Sequence, residues 1–153
     1  MVRRLAILSL LLATDICLAD DITNSRPQVA LEAQGHTSWV SRVFLDRYGG
    51  QLYSASHDKT VRVWDLQTYE PLRVIRPPIG VGLTGEIYAA SLAPNETMLA
   101  VSGHMAPGNS NEHDVLIIAM PGGDRLRRLP GNRGPVRDAA FSPDSKWLAT
   151  GGG

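Results

Sequence analysis

Gly35-His36-Thr37-Ser38-Trp39-Val40 opens, and Asp58-Lys59-Thr60-Val61-Arg62-Val63-Trp64-Asp65 closes, the stretch that decides the fold of this 153-residue chain. Inside it, Trp39 to Leu45 is rich in β-branched and aromatic residues, and Asp46-Arg47-Tyr48-Gly49-Gly50 reads as a turn. Leu52 to Ser56 is a second strand, followed by the turn His57-Asp58-Lys59-Thr60. Val61 to Val63 alternates as a third strand, and Leu72 to Ile75 supplies a fourth. Four short strands joined by tight turns predict one antiparallel meander.

The same order recurs further along. Ile87 to Leu92, the turn Ala93-Pro94-Asn95-Glu96 and Met98 to Ser102 repeat the first strand pair at an offset of 47 residues. Val115 to Ile118 and Arg125 to Leu129 supply the third and fourth strands of that set. Val136 to Phe141, the turn Ser142-Pro143-Asp144-Ser145 and Trp147 to Thr150 start the cycle again 49 residues later. Periods of about 40 to 50 residues with four strands each indicate propeller blades. The expected fold is all-β: antiparallel four-stranded β-propeller blades in an incomplete ring of about two and a half blades.

Gly35-His36, Trp64-Asp65 and the Asp58 to Val63 run between them resemble the WD-repeat β-propeller family. The likeness weakens in the second repeat, where Gly82-Leu83 stands for Gly-His and Ile118-Ala119 for Trp-Asp, and returns in the third. The resemblance implies blades at 35–76 and 82–130 and a first half-blade at 131–153. It also makes residues 28–33 a lone strand that closes another blade. Blades bury their faces against neighbours, so the expectation is the N-terminal part of a longer propeller, completed by further blades from this chain or another.

Two readings compete for His36, Ser54, Asp58 and Trp64. Ser, His and Asp together are the residue types of nucleophilic catalysis. The resemblance implies instead a structural hydrogen-bond network, with Asp58 on one imidazole nitrogen of His36, Ser54 on the other and the Trp64 indole on Ser54. No Gly-x-Ser-x-Gly elbow exposes Ser54, which favours structure. In the second repeat Leu83, Val101 and Ile118 replace His36, Ser54 and Trp64, and exchanging several polar partners together is energetically mild. The family's partner-binding mouth maps onto Trp39, Ser41, His57 and Lys59, then Glu86 and Tyr88, then Arg137. Trp39 and Tyr88 are the aromatic anchors that dominate interfaces.

His104, His113 and Asp114 flank a turn-rich insertion but lack the spacing of a metal site, so a solvated loop is expected there. Arg125, Arg127, Arg128, Arg133 and Arg137 form a basic cluster without interleaved aromatics, which reads as a solvent-facing outer strand. With 15 basic and 15 acidic residues, formal neutrality argues against nucleic acid as the main partner and implies no electrostatic steering.

Residues 1–19 pair Arg3 and Arg4 with a nine-residue apolar stretch and the small-residue end Cys17-Leu18-Ala19, the pattern of a secretory signal peptide, with 20–27 as a linker. That pattern predicts export to a periplasmic or extracellular space, with no stable membrane insertion after cleavage. The functional expectation is a non-catalytic, cofactor-free and metal-free platform for a protein or peptide. The alternative is the recognition module of a larger exported hydrolase or kinase whose catalytic domain lies beyond residue 153.

Overall fold

The computed structural model describes residues 35–77, 82–105 and 113–152. The expected leader (1–19), linker (20–27) and lone strand (28–33) lie outside the described residues. The strands all belong to the unit His36–Gly153.

Ten strands form among the described residues. β1 (Val40–Leu45), β2 (Gln51–Ser56), β3 (Val61–Asp65) and β4 (Pro71–Ile75) make one four-stranded sheet in sequence order. β5 (Ile87–Leu92), β6 (Met98–Gly103), β7 (His113–Ala119) and β8 (Arg125–Asn132) make a second. β9 (Val136–Phe141) pairs with β10 (Leu148–Gly152), and every pairing is antiparallel. These are the all-β meanders that the repeat pattern predicts.

Strand parity explains how the sheets stack. Tyr53, Ala55, Val61 and Val63 of the first sheet enter one core with Leu99, Val101, Leu116 and Ile118 of the second. The alternate residues Ala100, Val115 and Ile117 turn the other way and join Val136, Ala139 and Phe141 of the third. A strand covered on both faces needs an unbroken apolar run, and Val115-Leu116-Ile117-Ile118 is one. Leu99 is fully buried in the first of these cores. Leu99→Ala is expected to lower the unfolding free energy by about 3 kcal/mol, seen as an earlier urea midpoint.

In β5 and β9, Ala90 and Leu92, then Ala139 and Phe141, belong to the cores shared with the preceding sheet. The equivalent residues of β1, Val43 and Leu45, are each 54% exposed. The first sheet therefore presents the same contact face without a covering sheet among the described residues.

The turns repeat as closely as the strands. Gly49, Glu96 and Ser145 occupy the same turn position, all with positive φ. Each donates its backbone N–H three residues back, to Asp46, Ala93 and Ser142 respectively. The left-handed residue carries its side chain sideways. Glu96 Oε1 accepts from the Arg47 amide at 2.7 Å, and Ser145 Oγ accepts from the Asn95 amide at 3.1 Å. These bonds tie successive turns along the lower rim, where β1, β5 and β9 end.

Candidate docking rim

β1, β5 and β9 begin at the opposite, upper rim, and each begins with a β-bulge. Val40 faces Ser56 while Arg42 faces Ala55, which leaves Ser41 as the extra residue. The same count leaves Tyr88 extra in β5 and Arg137 extra in β9. A bulge re-aims the side chain it carries. Three expected docking residues thus share one irregularity, which hydrophobic pattern alone does not reveal.

Their surroundings differ. Ser41 Oγ donates to Ile87 O at 2.7 Å and lies 3.2 Å from Ala55 O, so its hydroxyl staples the first sheet to the second. Arg137 is exposed, and its carbonyl accepts from the Arg42 guanidinium at 2.9 Å. Arg42 also reaches Asp138 at 2.6 Å, joining the first and third sheets.

Tyr88 stands in a row of rings. Its centroid lies 4.6 Å from that of His57 and 5.2 Å from that of His104, which in turn meets His113 at 5.1 Å. Its hydroxyl donates to Glu86 Oε2 at 3.0 Å, and His57 Nδ1 lies 3.8 Å from the same oxygen. Burial, helped by the bond to the Glu86 carboxylate, pushes the Tyr88 phenol up to about 12. Burial also lowers the His104 pKa, and the neighbouring His113 adds to that effect. Backbone bonds fix the base of the row: Gly85 N–H donates to His104 O at 2.6 Å and His104 N–H to Glu86 O at 3.0 Å.

Trp39 is 77% exposed at the start of this rim, while Lys59 Nζ donates to Gly82 O at 2.7 Å. Leu83, matched in sequence to His36, does not pack as an apolar substitute and is 56% exposed. Val101 and Ile118, matched to Ser54 and Trp64, are buried in the core.

The solvated loop expected around His104, His113 and Asp114 does not extend to His113 and Asp114; His104 stands in a bend after β6, and residues 106–112 lie outside the described residues. His113 and Asp114 are buried at the head of β7, and the Asp114 carboxylate accepts from Arg128 Nε. His113 Nδ1 lies 3.2 Å from Gly103 O. Third-strand pairing extends further toward the insertion than the apolar run shows, and it carries these polar residues inside. Arg128 stays exposed on this outer strand while its Nε reaches inward to Asp114. Among the described residues, no group of three or more His, Cys, Asp or Glu side chains is placed to hold a metal ion.

The four polar residues of the first repeat are brought together. His36 Nδ1 lies 2.8 Å from Asp58 Oδ2, and Nε2 lies 2.7 Å from Ser54 Oγ. Trp64 Nε1 donates to that hydroxyl oxygen at 2.8 Å. Asp58 also accepts from Thr37 N, Thr60 N and Thr60 Oγ1, at 3.1, 3.0 and 2.6 Å. Sequence reasoning missed Thr37 and Thr60, although an Asp followed two residues later by Thr is a local turn signal. Burial works to raise the Asp58 carboxyl, but the bonds from His36, Thr60 and Thr37 outweigh it and hold it far below the usual carboxylate range.

The chain is similar to known proteins in sequence and in fold. The family described as WD domain, G-beta repeat matches residues 28–65 and 123–153. The chain is 39% identical over 132 residues to the ribosome biogenesis protein ytm1 of Botryotinia fuckeliana, covering 82% of this chain and 27% of that protein. It is 54% identical over 115 residues to a probable E3 ubiquitin ligase complex SCF subunit, sconB, of Arthroderma otae, covering 72% of this chain and 14% of that one. Among solved structures, U3-55K superposes with a TM-score of 0.63 at 18% identity, over 76% of this chain and 34% of that one. The RRP9 WD40 repeats give 0.62 at 19%, over 76% and 33%. The chain thus spans about a third of these solved propellers and less of the curated relatives.

The expectation of export is corrected by these relatives. Ribosome biogenesis and ubiquitin ligase assembly are work of the cell interior, and neither protein is a periplasmic or extracellular one. A short apolar run behind two arginines is a composition that other segments share, so it does not by itself establish export. With its meander order, its repeat register and the residues matched, the chain belongs to the WD-repeat β-propeller family.

Proposed function

We propose that this chain supplies WD-repeat blades to a non-catalytic platform that binds a protein or peptide at its upper rim. In this reading the blades run over 35–76, 82–130 and 131–153, and a longer propeller contains them. Ser54 carries the argument against catalysis. Its contacts follow the order of a hydrolase triad, Ser Oγ to His Nε2 and His Nδ1 to Asp, yet the residue is 0% exposed and its oxygen already accepts from Trp64. A nucleophile must reach substrate, and no substrate atom reaches this one. The arrangement serves as a buried, satisfied polar network, which is what a blade needs where it turns.

The bulges at Ser41, Tyr88 and Arg137 support the docking role, because they aim equivalent positions of three sheets at one rim. The family's relatives in ribosome biogenesis and ubiquitin ligase complexes support a protein partner.

Trp39 and Tyr48 provide a matched test, being 77% and 81% exposed on opposite rims. A photo-reactive phenylalanine at position 39 is expected to crosslink a partner, and the same residue at position 48 is not. Trp39→Ala should weaken partner recovery by about tenfold or more, the loss typical of an aromatic hot spot. Equal crosslinking from both positions would sink the upper-rim assignment.

A further inference from the structure

The formal neutrality of the chain conceals a division of charge between the two rims. At the upper rim, among the described residues, Lys59, Arg76, Arg133 and Arg137 lie in or beside the connections, and the three arginines are exposed. Glu86 is the acid that shares their surface, and its carboxylate serves the Tyr88 hydroxyl and faces His57. Asp58 and Asp114 are buried there against His36 and Arg128. The lower rim is the reverse. Asp46, Asp65, Glu70, Glu96, Asp124 and Asp144 stand there with Arg47 and Lys146.

Local structure accounts for much of the lower set, because Asp46, Asp65 and Asp144 accept backbone N–H groups of their own turns and Glu96 accepts one from the neighbouring turn. Turn formation gives no such reason for a cationic upper rim. Opposite charge on a partner gives one, since complementary potentials steer encounter and fix orientation.

We infer that the upper rim takes an acidic polypeptide segment, seated across the His57–Tyr88–His104 row between Lys59 and Arg76 on one side and Arg133 and Arg137 on the other. The inference rests on the docking reading above and names the chemistry of the partner. Trp39 and Leu83, exposed on the same rim, supply apolar contact for the residues between the acids. Single-stranded RNA fits less well. Successive bases stack on a series of free aromatic faces, and this rim offers Trp39 alone among the described residues, Tyr88 being already flanked by His57 and His104.

Fluorescence anisotropy of a labelled oligoglutamate peptide with the full chain tests this. Binding is expected at low salt, to weaken as salt is added, and to be missing for oligoglutamine. Arg133→Glu together with Arg137→Glu should weaken it about tenfold, and Arg76→Glu alone by less. Lys146→Glu, on the lower rim, should leave it unchanged. The inference fails if oligoglutamate does not bind, if the arginine variants bind it as the parent does while keeping the parent circular dichroism, or if oligouridine displaces the peptide. Should the peptide fail while position 39 still crosslinks a partner, docking stands and only the acidic chemistry falls.

Discussion

Asp58→Ala is expected to be among the most damaging substitutions in the first sheet, lowering the unfolding free energy by about 3 kcal/mol or more. The carboxylate accepts four hydrogen bonds, from His36, Thr37 and twice from Thr60. Alanine strands all four donors, and His36 and Asp58 are nearly enclosed, so water repairs little of the loss. His36→Ala should cost less, since Asp58 then keeps its threonine donors while Ser54 loses one partner. The acid limb of stability follows from the same site. The folded carboxyl ionises well below its unfolded counterpart, so the contribution is complete above the usual carboxylate range and is lost as pH falls through and below it. Urea unfolding of parent and Asp58→Asn across acidic pH checks the sign. The parent should lose stability on acidification more steeply than the variant. A variant of normal stability that had lost a hydrolytic activity would instead make the cluster catalytic.

Gly103→Ala should do comparable harm by another route. A Cβ at this position would lie 2.1 Å from Glu86 O and 2.8 Å from Tyr88 N. Backbone, not a movable side chain, stands in the way, and the residue holds a φ of 154°. The start of β5 must therefore shift, at a cost of about 2–4 kcal/mol. That shift carries Glu86 and Tyr88 with it, so thermal melting and upper-rim binding should fall together. Ser56, the residue of β2 that matches Gly103, has a Cβ already and donates to Ser38 O at 3.2 Å. Ser56→Gly should consequently be far milder. A fully stable Gly103→Ala protein would mean that the bulge at Tyr88 is looser than its geometry shows.

Much of this architecture is legible in the residues. Repeated turns at Asp46, Ala93 and Ser142 fix the hairpins, because each carries the same turn chemistry between the same apolar runs. The resemblance to WD repeats implies the polar network of His36, Ser54, Asp58 and Trp64 before any coordinate does. Three things are less legible. The bulges at Ser41, Tyr88 and Arg137 depend on how one strand counts against its partner, which no single strand encodes. Asp114 looks like loop because it is charged, but Arg128, one turn away in sequence on the adjacent strand, arrives beside it across the sheet. The division of charge between rims is present in the sequence, yet a net total erases it. It becomes visible once each connection is assigned to its end of the strands.

The contrast between the first two sheets governs how each tolerates heritable change. Val101 and Ile118 meet their neighbours through shape alone, so one apolar residue after another can be exchanged there, each step viable by itself. Ser54, His36 and Asp58 form a chain in which any single replacement strands a donor or an acceptor. The first sheet is therefore held in place by the cost of its intermediates, while Val101 and Ile118 of the second are free to wander. A lineage that gives up the polar cluster has to cross a valley once, and after that crossing nothing draws it back.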